Sequence, residues 1–294
     1  MKYTAIAPGT CGELLQGYID DKDFLINSPI PYFAKASVSF NSNSNKTEFL
    51  DESKYSKINK IIEKLFSHFK IRKNISLNLE IESKIPRGKG LASSTAELTA
   101  VLLAISKAFN KRLTDNEINN LLISVDKSSD GVFLSGISYI NHLKGHIYKK
   151  FNYIPSLSFI IVDSGGEVST QKFDRNLARS VSLKNENSLR SALKMLKEGF
   201  LSKNNKLIAE AATISARINQ NVLFKDPLET LVNGTKEYGS LGVNCAHTGT
   251  VLGVMFDHKT TDQNRLLDRV HSLIYPLPIL GVYPLISGSR IIKN

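Results

Sequence analysis

The apolar residues of this chain change their spacing several times, and each spacing predicts a different element. Residues 34–40 and 75–81 alternate apolar and polar positions, which is typical of half-buried strands. Residues 58–69 place apolar side chains every three or four positions, as one face of an amphipathic helix does. The polar stretch 41–47 predicts a loop, and LSFIIVD at 157–163 predicts a buried strand.

The remaining pattern mixes helices and strands without a regular alternation. Helical spacing returns at 98–109, and TDNE at 114–117 predicts a capping box in which Thr114 and Glu117 begin the next helix. Further helices are predicted at 187–200, 204–219, 227–238 and 261–273, and further strands at 137–142, within 242–256 and at 278–285. No internal repeat is visible. We therefore predict an α+β protein with two domains, 1–150 and 151–294.

The composition is that of a globular protein and leaves three explanations for its positive charge. The chain has 294 residues, of which 41% are hydrophobic and 22% charged, as in ordinary globular proteins. The net charge of +11 is compatible with nucleic-acid binding, with a polyanionic small molecule or with general lysine enrichment. Dense basic blocks interleaved with aromatic residues are missing, which disfavours nucleic acid. Cys11 and Cys245 form no disulfide framework or metal-type spacing, and no leader or membrane-spanning stretch is visible, so we expect a cytoplasmic protein.

The strongest local signal is the segment PRGKGLASSTAE at 86–97, where a strand runs through a loop into a helix. It contains two glycines, three hydroxyl residues and two basic residues: Gly88, Gly90, Ser93, Ser94, Thr95, Arg87 and Lys89. The glycines permit close backbone approach, and the hydroxyl residues offer a natural N-cap. The helix dipole and the first N–H groups favour an anion such as a phosphate chain. The alternative is an ordinary capped connection. A Walker A motif and a complete Gly-x-Gly-x-x-Gly are both absent.

Three motifs together resemble those of one family, the GHMP kinases, which include galactokinase, homoserine kinase and mevalonate kinase. They are APGTCGELLQG at 7–17, PRGKGLASSTA at 86–96 and GVNCAHTGTVLGVMF at 242–256, in the family's order. The combination is most similar to the L-threonine kinase branch, known from cobalamin biosynthesis and propanediol utilisation. The resemblance implies a ribosomal-protein-S5-like nucleotide domain, a C-terminal ferredoxin-like α+β domain and a site in the cleft between them.

The resemblance also implies that the central loop binds the phosphates of ATP. The loop residues concerned are Pro86, Arg87, Gly88, Lys89, Gly90, Leu91, Ala92, Ser93, Ser94 and Thr95. Ser94 aligns with a serine that binds Mg²⁺ in relatives, and that ion takes few protein ligands. The family's glutamate position is Asn119 here, so Glu97 is the expected substitute. Glu97 has a second interpretation, as a first-turn acid that only favours the helix dipole.

Asp130 matches the position of the family's catalytic aspartate. The resemblance implies that Asp130 takes or orients the proton of the substrate hydroxyl, and that a nearby cation keeps it ionised. The alternative is that Asp130 and Gly131 only form a turn. Asp126, one helical turn earlier, is the competing acid, as a solvated helix-end residue or a substrate contact.

Residues of the first and third motifs are candidates for binding the acceptor. Glu13 is expected to bind the ammonium group of an amino acid or a neighbouring side chain. His247 is expected to bind a substrate carboxylate or to be a packed, hydrogen-bonded histidine. Thr248 and Gly249 are expected to form a turn that closes over the site.

Other positions depart from the family pattern or are less specific. Thr10 stands where mevalonate kinase-like relatives carry a lysine near the phosphates, and Lys89 or Arg87 is expected to supply that charge. Asp163 and Thr170 face the substrate or simply follow the strand 157–163. The glycines of the first motif are expected at tight turns: Gly9, Gly12 and Gly17.

These observations predict an ATP-dependent kinase that phosphorylates L-threonine to O-phospho-L-threonine. Homoserine, serine and mevalonate are alternative acceptors, because one methyl group changes pocket selectivity by only about 1–3 kcal/mol. A basic nucleic-acid-binding protein is the alternative from another class. The expected ligands are ATP, Mg²⁺ and a hydroxy amino acid. A homodimer is left open, and neither nucleic acid nor a membrane is an expected partner.

Overall fold

The computed structural model describes residues 1–40, 52–71, 75, 77–168, 173–288 and 290–292. The predicted loop at 41–47 and the candidate Thr170 lie outside these residues. The strands are β1 Lys2–Ile19, β2 Lys22–Phe40, β3 Leu77–Ser83, β4 Ile137–Ile140, β5 Ile147–Phe151, β6 Leu157–Asp163, β7 Ser240–Cys245, β8 Val251–Asp257, β9 Ile279–Pro284 and β10 Arg290–Ile292. The helices are α1 Glu52–Phe69, α2 Ser93–Ala108, α3 Asp115–Asp126, α4 Arg175–Lys184, α5 Glu186–Ser202, α6 Asn205–Asn219, α7 Pro227–Thr235 and α8 Gln263–Ile274, with a 3₁₀ turn at Lys236–Tyr238.

The strands form one sheet whose spatial order differs from the order along the chain, and all described pairs are antiparallel. The order is β5-β4-β2-β1-β7-β8-β6-β9, with β3 also pairing β2 and β10 pairing β1. The two halves of the chain meet where β1 pairs β7, with Glu13 opposite Cys245. The α+β prediction is confirmed. The division at residue 150 stays a prediction, and β10, from the end of the chain, joins the N-terminal half of the sheet.

The helices pack on the sheet through the apolar side chains that they bury. Helix α2 packs on β1 and β2 and buries Leu98, Val101, Leu102 and Ile105. The predicted capping box of α3 is confirmed: the Thr114 N–H donates to Glu117 Oε2 at 2.7 Å, and the Glu117 N–H donates to Thr114 Oγ1 at 3.3 Å. Among the described helices, none is long and apolar enough to cross a bilayer.

The first motif does not form the tight turns expected of its glycines. It lies inside the long strand β1, whose register shifts at three bulges between Pro8 and Leu15. Gly9 instead permits close approach, since a Cβ there would lie 2.6 Å from the carbonyl oxygen of Leu91. Leu91 belongs to the loop at 86–95 that is predicted to bind phosphate, and this loop is called the phosphate loop below. Gly12 has φ of 56° and contacts the backbone of β7. The prediction of turns is wrong because these glycines serve packing between strand and loop.

Candidate active site

The phosphate loop enters α2 without the serine cap predicted from sequence. The N-cap is Ala92, in the left-handed region with φ 56° and ψ 30°, and no side chain caps the helix. The first described intrahelical bond here runs from the Ala96 N–H to the Ala92 carbonyl at 2.9 Å. The prediction that Ser93, Ser94 or Thr95 caps the helix is therefore wrong. Leaving the helix start without a side-chain cap keeps its N–H groups available to an anion.

Three separate segments hold the loop in place. The Thr10 N–H in β1 donates to the Leu91 carbonyl at 3.1 Å, and the Thr250 N–H after the third motif donates to the Lys89 carbonyl at 3.0 Å. The Val168 N–H, beyond β6, donates to the Gly88 carbonyl at 2.9 Å. The structure thus brings all three sequence motifs together around the loop.

Lys89 does not lie on the wall of the cavity described below. Its ammonium group lies 2.7 Å from Asp163 Oδ2 and donates to the Gly166 carbonyl at 2.6 Å. The other carboxylate oxygen of Asp163 accepts from the Thr250 hydroxyl at 2.6 Å. Burial opposes ionisation of Asp163, but Lys89, Thr250 and the Gly165 N–H together lower its pKa. The lysine therefore ties the loop to the end of β6, and its expected phosphate contact has no support from its position.

The loop forms one side of a cavity of about 370 Å³. Most predicted site residues line it: Glu13, Arg87, Gly88, Gly90, Leu91, Ala92, Ser93, Ser94, Thr95, Glu97, Asp130 and Thr248. Pro86, Lys89 and His247 do not. The wall also includes residues from the beginning of α1, the end of α3, Gln16 of β1 and Arg175 of α4.

Asp130 lies in this cavity beside the phosphate loop. The Thr95 hydroxyl donates to Asp130 Oδ2 at 2.8 Å, and the buried Asn27 amide donates to the Asp130 carbonyl at 2.9 Å. Burial raises the pKa of Asp130 to about 7; the Glu13 carboxylate and, more weakly, Asp126 add to this, and the Thr95 bond opposes it. The expected ionising cation is not among the groups that set this pKa. Asp130 instead exchanges a proton near neutral pH, as a general base does.

His247 lies beneath Glu13, away from the cavity wall, and is only 6% exposed. Its N–H and its Nδ1 lie 2.8 Å and 3.0 Å from Glu13 Oε2, and its Nε2 lies 3.0 Å from Ser215 Oγ. Burial works against the charged ring, but Cys245 and Glu13 outweigh it and raise the pKa of His247 to about 9. Both ring nitrogens therefore have hydrogen-bond partners within the protein. The position matches a packed histidine that holds Glu13 toward the cavity.

Sequence reasoning missed two cations on the cavity wall. Lys57 of α1 forms an ion pair with Asp126 at the end of α3, and its ammonium group donates to Ser94 Oγ at 3.4 Å. Arg175, the first residue of α4, lines the cavity and has no ion pair within the described part of the chain. Neither residue had a sequence signal, because nothing distinguishes them among 38 lysines and arginines.

Comparisons with known proteins agree with this geometry. Residues 56–137 match the family model described as GHMP kinases N terminal domain. The chain is 27% identical to an L-threonine kinase of Citrobacter freundii, over 88% of each protein. It is 26% identical to an L-threonine kinase of Salmonella typhimurium, over 89% of this chain and 85% of that protein. The chain therefore contains a GHMP kinase N-terminal domain and is similar to L-threonine kinases over most of its length.

The overall fold agrees with the match of the N-terminal domain. A crystal structure of homoserine kinase from Cytophaga hutchinsonii superposes with a TM-score of 0.75, at 14% identity, over 99% of this chain and 97% of that one. At this identity the similarity concerns the fold alone. The predicted GHMP kinase fold is confirmed.

The donor set of the cavity suits a magnesium ion that is held mainly by phosphate and water. Within the described residues, no three His, Cys, Asp or Glu side chains cluster in a way that could hold a metal. Ser94 is flanked by the Lys57 ammonium, itself paired with Asp126, so a cation fits between this hydroxyl and this carboxylate. Glu97, the expected ligand, accepts a hydrogen bond from Arg87 at 2.9 Å. Asp126 is therefore a second candidate beside Glu97.

Proposed function

We propose that this protein is a GHMP kinase that uses ATP to phosphorylate the side-chain hydroxyl of a small hydroxy amino acid, and that L-threonine is the acceptor. The observation that carries the proposal is the contact between Thr95 and Asp130. It places an uncapped helix start, suited to phosphate, next to a carboxyl group that titrates near neutral pH. Phosphoryl transfer to an alcohol needs both groups in one cavity.

Each part of the cavity has a task in this reaction. The backbone of the loop and the positive end of α2 bind and orient the phosphates. Mg²⁺, when bound by Ser94 and a carboxylate, supplies positive charge to phosphate oxygens. Asp130 accepts the proton of the acceptor hydroxyl, which makes its oxygen a better nucleophile. The Asn27 amide, by holding the backbone of Asp130, fixes the direction of that carboxylate.

Two further charged residues of the cavity wall favour a zwitterionic acceptor. Glu13, oriented by His247, offers a carboxylate for an ammonium group, and Arg175 offers a guanidinium group for a carboxylate. Mevalonate has no ammonium group, so this pair of opposite charges favours an amino acid. The two L-threonine kinases with 26–27% identity support threonine among the amino acids. The product, O-phospho-L-threonine, and its use for cobalamin in the cytoplasm belong to the same proposal.

A coupled assay of ADP release tests the proposal. Threonine, serine, homoserine and mevalonate are compared with Mg²⁺ and ATP, and threonine is expected to give the highest kcat/KM. If another alcohol is turned over while threonine stays at background, the acceptor is wrong and the kinase assignment stands. If no alcohol supports turnover and duplex DNA or RNA binds with a steep salt dependence, the nucleic-acid alternative replaces the kinase.

A further inference from the structure

The phosphate-binding side of the cavity needs a cation, and three basic residues lie near it. The Arg87 side chain is 59% exposed and pairs with Glu97, and Lys89 is held by Asp163. Lys57 lines the cavity, as Arg87 does, but differs from both because its ammonium group contacts the Ser94 hydroxyl within the loop. An ATP triphosphate carries several negative charges, so the positive ammonium group of a flexible lysine at this place would neutralise part of them.

We propose that Lys57 is the cation that binds the nucleotide phosphates, and that Asp126 holds it in the empty site and releases it when the nucleotide arrives. The inference rests on the proposed use of ATP. Lys57 would then replace the lysine that relatives carry at the position of Thr10, although it lies 47 positions further along the chain, on α1.

The geometry of the ion pair supports an exchange of partners. The Lys57 side chain is 41% exposed and that of Asp126 is 11% exposed. A partly exposed lysine–carboxylate pair is a weak interaction, since water screens it and the lysine stem is mobile. A phosphate chain seated on the loop would present more negative charge than one carboxylate. Lys57 therefore moves from Asp126 to phosphate at little cost.

The competing explanation is a purely structural ion pair. Lys57 stands near the beginning of α1 and Asp126 is the last residue of α3, so the pair also joins these two helices. A structural pair predicts that removing either partner has the same consequence. The proposal predicts opposite consequences for ATP, because Asp126 competes with phosphate for Lys57 and also repels it.

The test is isothermal titration calorimetry in EDTA, with ATP and adenosine as separate ligands. Lys57→Gln is expected to weaken ATP binding by about 10–100-fold, as expected for loss of a charge-assisted bond, and to leave adenosine binding unchanged. Lys57→Arg, which keeps the charge, retains most of the affinity. Asp126→Asn is expected to tighten ATP binding about threefold or more, by removal of a like charge. Lys60→Gln is the matched control, because Lys60 is an exposed lysine on the same helix and does not line the cavity.

The outcomes separate the explanations. Weaker binding by Lys57→Gln together with tighter binding by Asp126→Asn supports the exchange of partners. Equal changes in both variants, or an equal loss of ATP and adenosine affinity in Lys57→Gln, overturn it and leave a structural pair. Thermal unfolding of every variant shows whether each is folded. A wild-type protein that binds no ATP overturns the proposed function and this inference together, whereas normal ATP binding by Lys57→Gln overturns the inference alone.

Discussion

Replacing Asp130 by asparagine should stabilise the protein while abolishing most of its activity. The folded structure raises the pKa of Asp130 from 3.8 to about 7, so ionisation of this carboxyl group opposes folding. Between those two values the folded state binds more protons than the unfolded state, and stability therefore falls as the pH rises. Above pH 7 the carboxylate is ionised in both states, and the full penalty is present. Asparagine keeps the shape and can still accept the Thr95 hydrogen bond, but it carries no such penalty.

The size of the effect follows from the shift. About three pKa units at roughly 1.4 kcal/mol each give an upper value of about 4 kcal/mol. Since the carboxylate opens onto a cavity that admits water, we expect a measured gain of about 1–3 kcal/mol at pH 8. The gain should shrink as the pH falls and become small near pH 4, where the group is protonated in the folded state and close to half-protonated in the unfolded state.

Urea unfolding of both proteins at several pH values between 4.5 and 8 measures this difference. Asp163→Asn is the matched control, because Lys89 and Thr250 lower the pKa of Asp163 despite its burial. That variant should be less stable than the wild type throughout this range, with no gain at high pH. A stability difference for Asp130→Asn that stays constant with pH would show that the carboxyl group is not the source.

The same variant tests catalysis. Asp130→Asn should reduce turnover by at least ~100-fold, the usual effect of removing a positioned acid–base group, while ATP binding is retained. Stabilisation combined with lost activity is the signature of a residue that is kept for function at the expense of stability. Near-normal turnover would remove Asp130 from the mechanism, whatever its effect on stability.

Three further substitutions test other parts of the site. Glu13→Gln should lower the pKa of Asp130 and move the acid limb of the pH–rate profile to lower pH; an unmoved limb would show that the two carboxylates do not interact. Ser94→Ala should weaken binding of Mg²⁺ and ATP together; unchanged dependence on Mg²⁺ in calorimetry would contradict its role as a ligand. Gly249→Ala should cost about 1–3 kcal/mol, because a Cβ there overlaps the backbone of Lys89 and Gly90. Unchanged stability of Gly249→Ala in urea unfolding would contradict the overlap.

Local patterns predicted every described helix except α4, because each of the predicted helices carries its own signals. The apolar stripe of α1 and the capping box of α3 involve residues three or four positions apart, so a short stretch of sequence is enough to predict each helix. Strand β1 was not predicted, because both faces are covered and no alternation remains. Leu14 and Leu15 are neighbours in β1, yet both are fully buried.

Local patterns could not predict which residues the charged side chains contact. Resemblance to GHMP kinases gave Asp130 and the phosphate loop, but Lys57 and Ser94 are 37 positions apart and Lys89 and Asp163 are 74 apart. Which lysine faces phosphate depends on how α1 and β6 pack around the loop. Lys89 belongs to the motif and is directed away from the cavity, whereas Lys57 belongs to no motif and lines it.

The wrong prediction of a serine cap is informative about the site. A serine side chain is the favourable choice at this helix start, yet the chain places Ala92 there in a left-handed conformation that costs roughly 1–2 kcal/mol for a non-glycine residue. A side-chain cap would also occupy N–H groups that a phosphate needs. Hydrogen bonds from Thr10 to Leu91 and from Thr250 to Lys89 hold the loop in spite of this cost. Ala92 and Asp130 therefore share one property: each carries a cost, in backbone conformation or in ionisation of a buried carboxyl group, that serves the ligand we propose they bind.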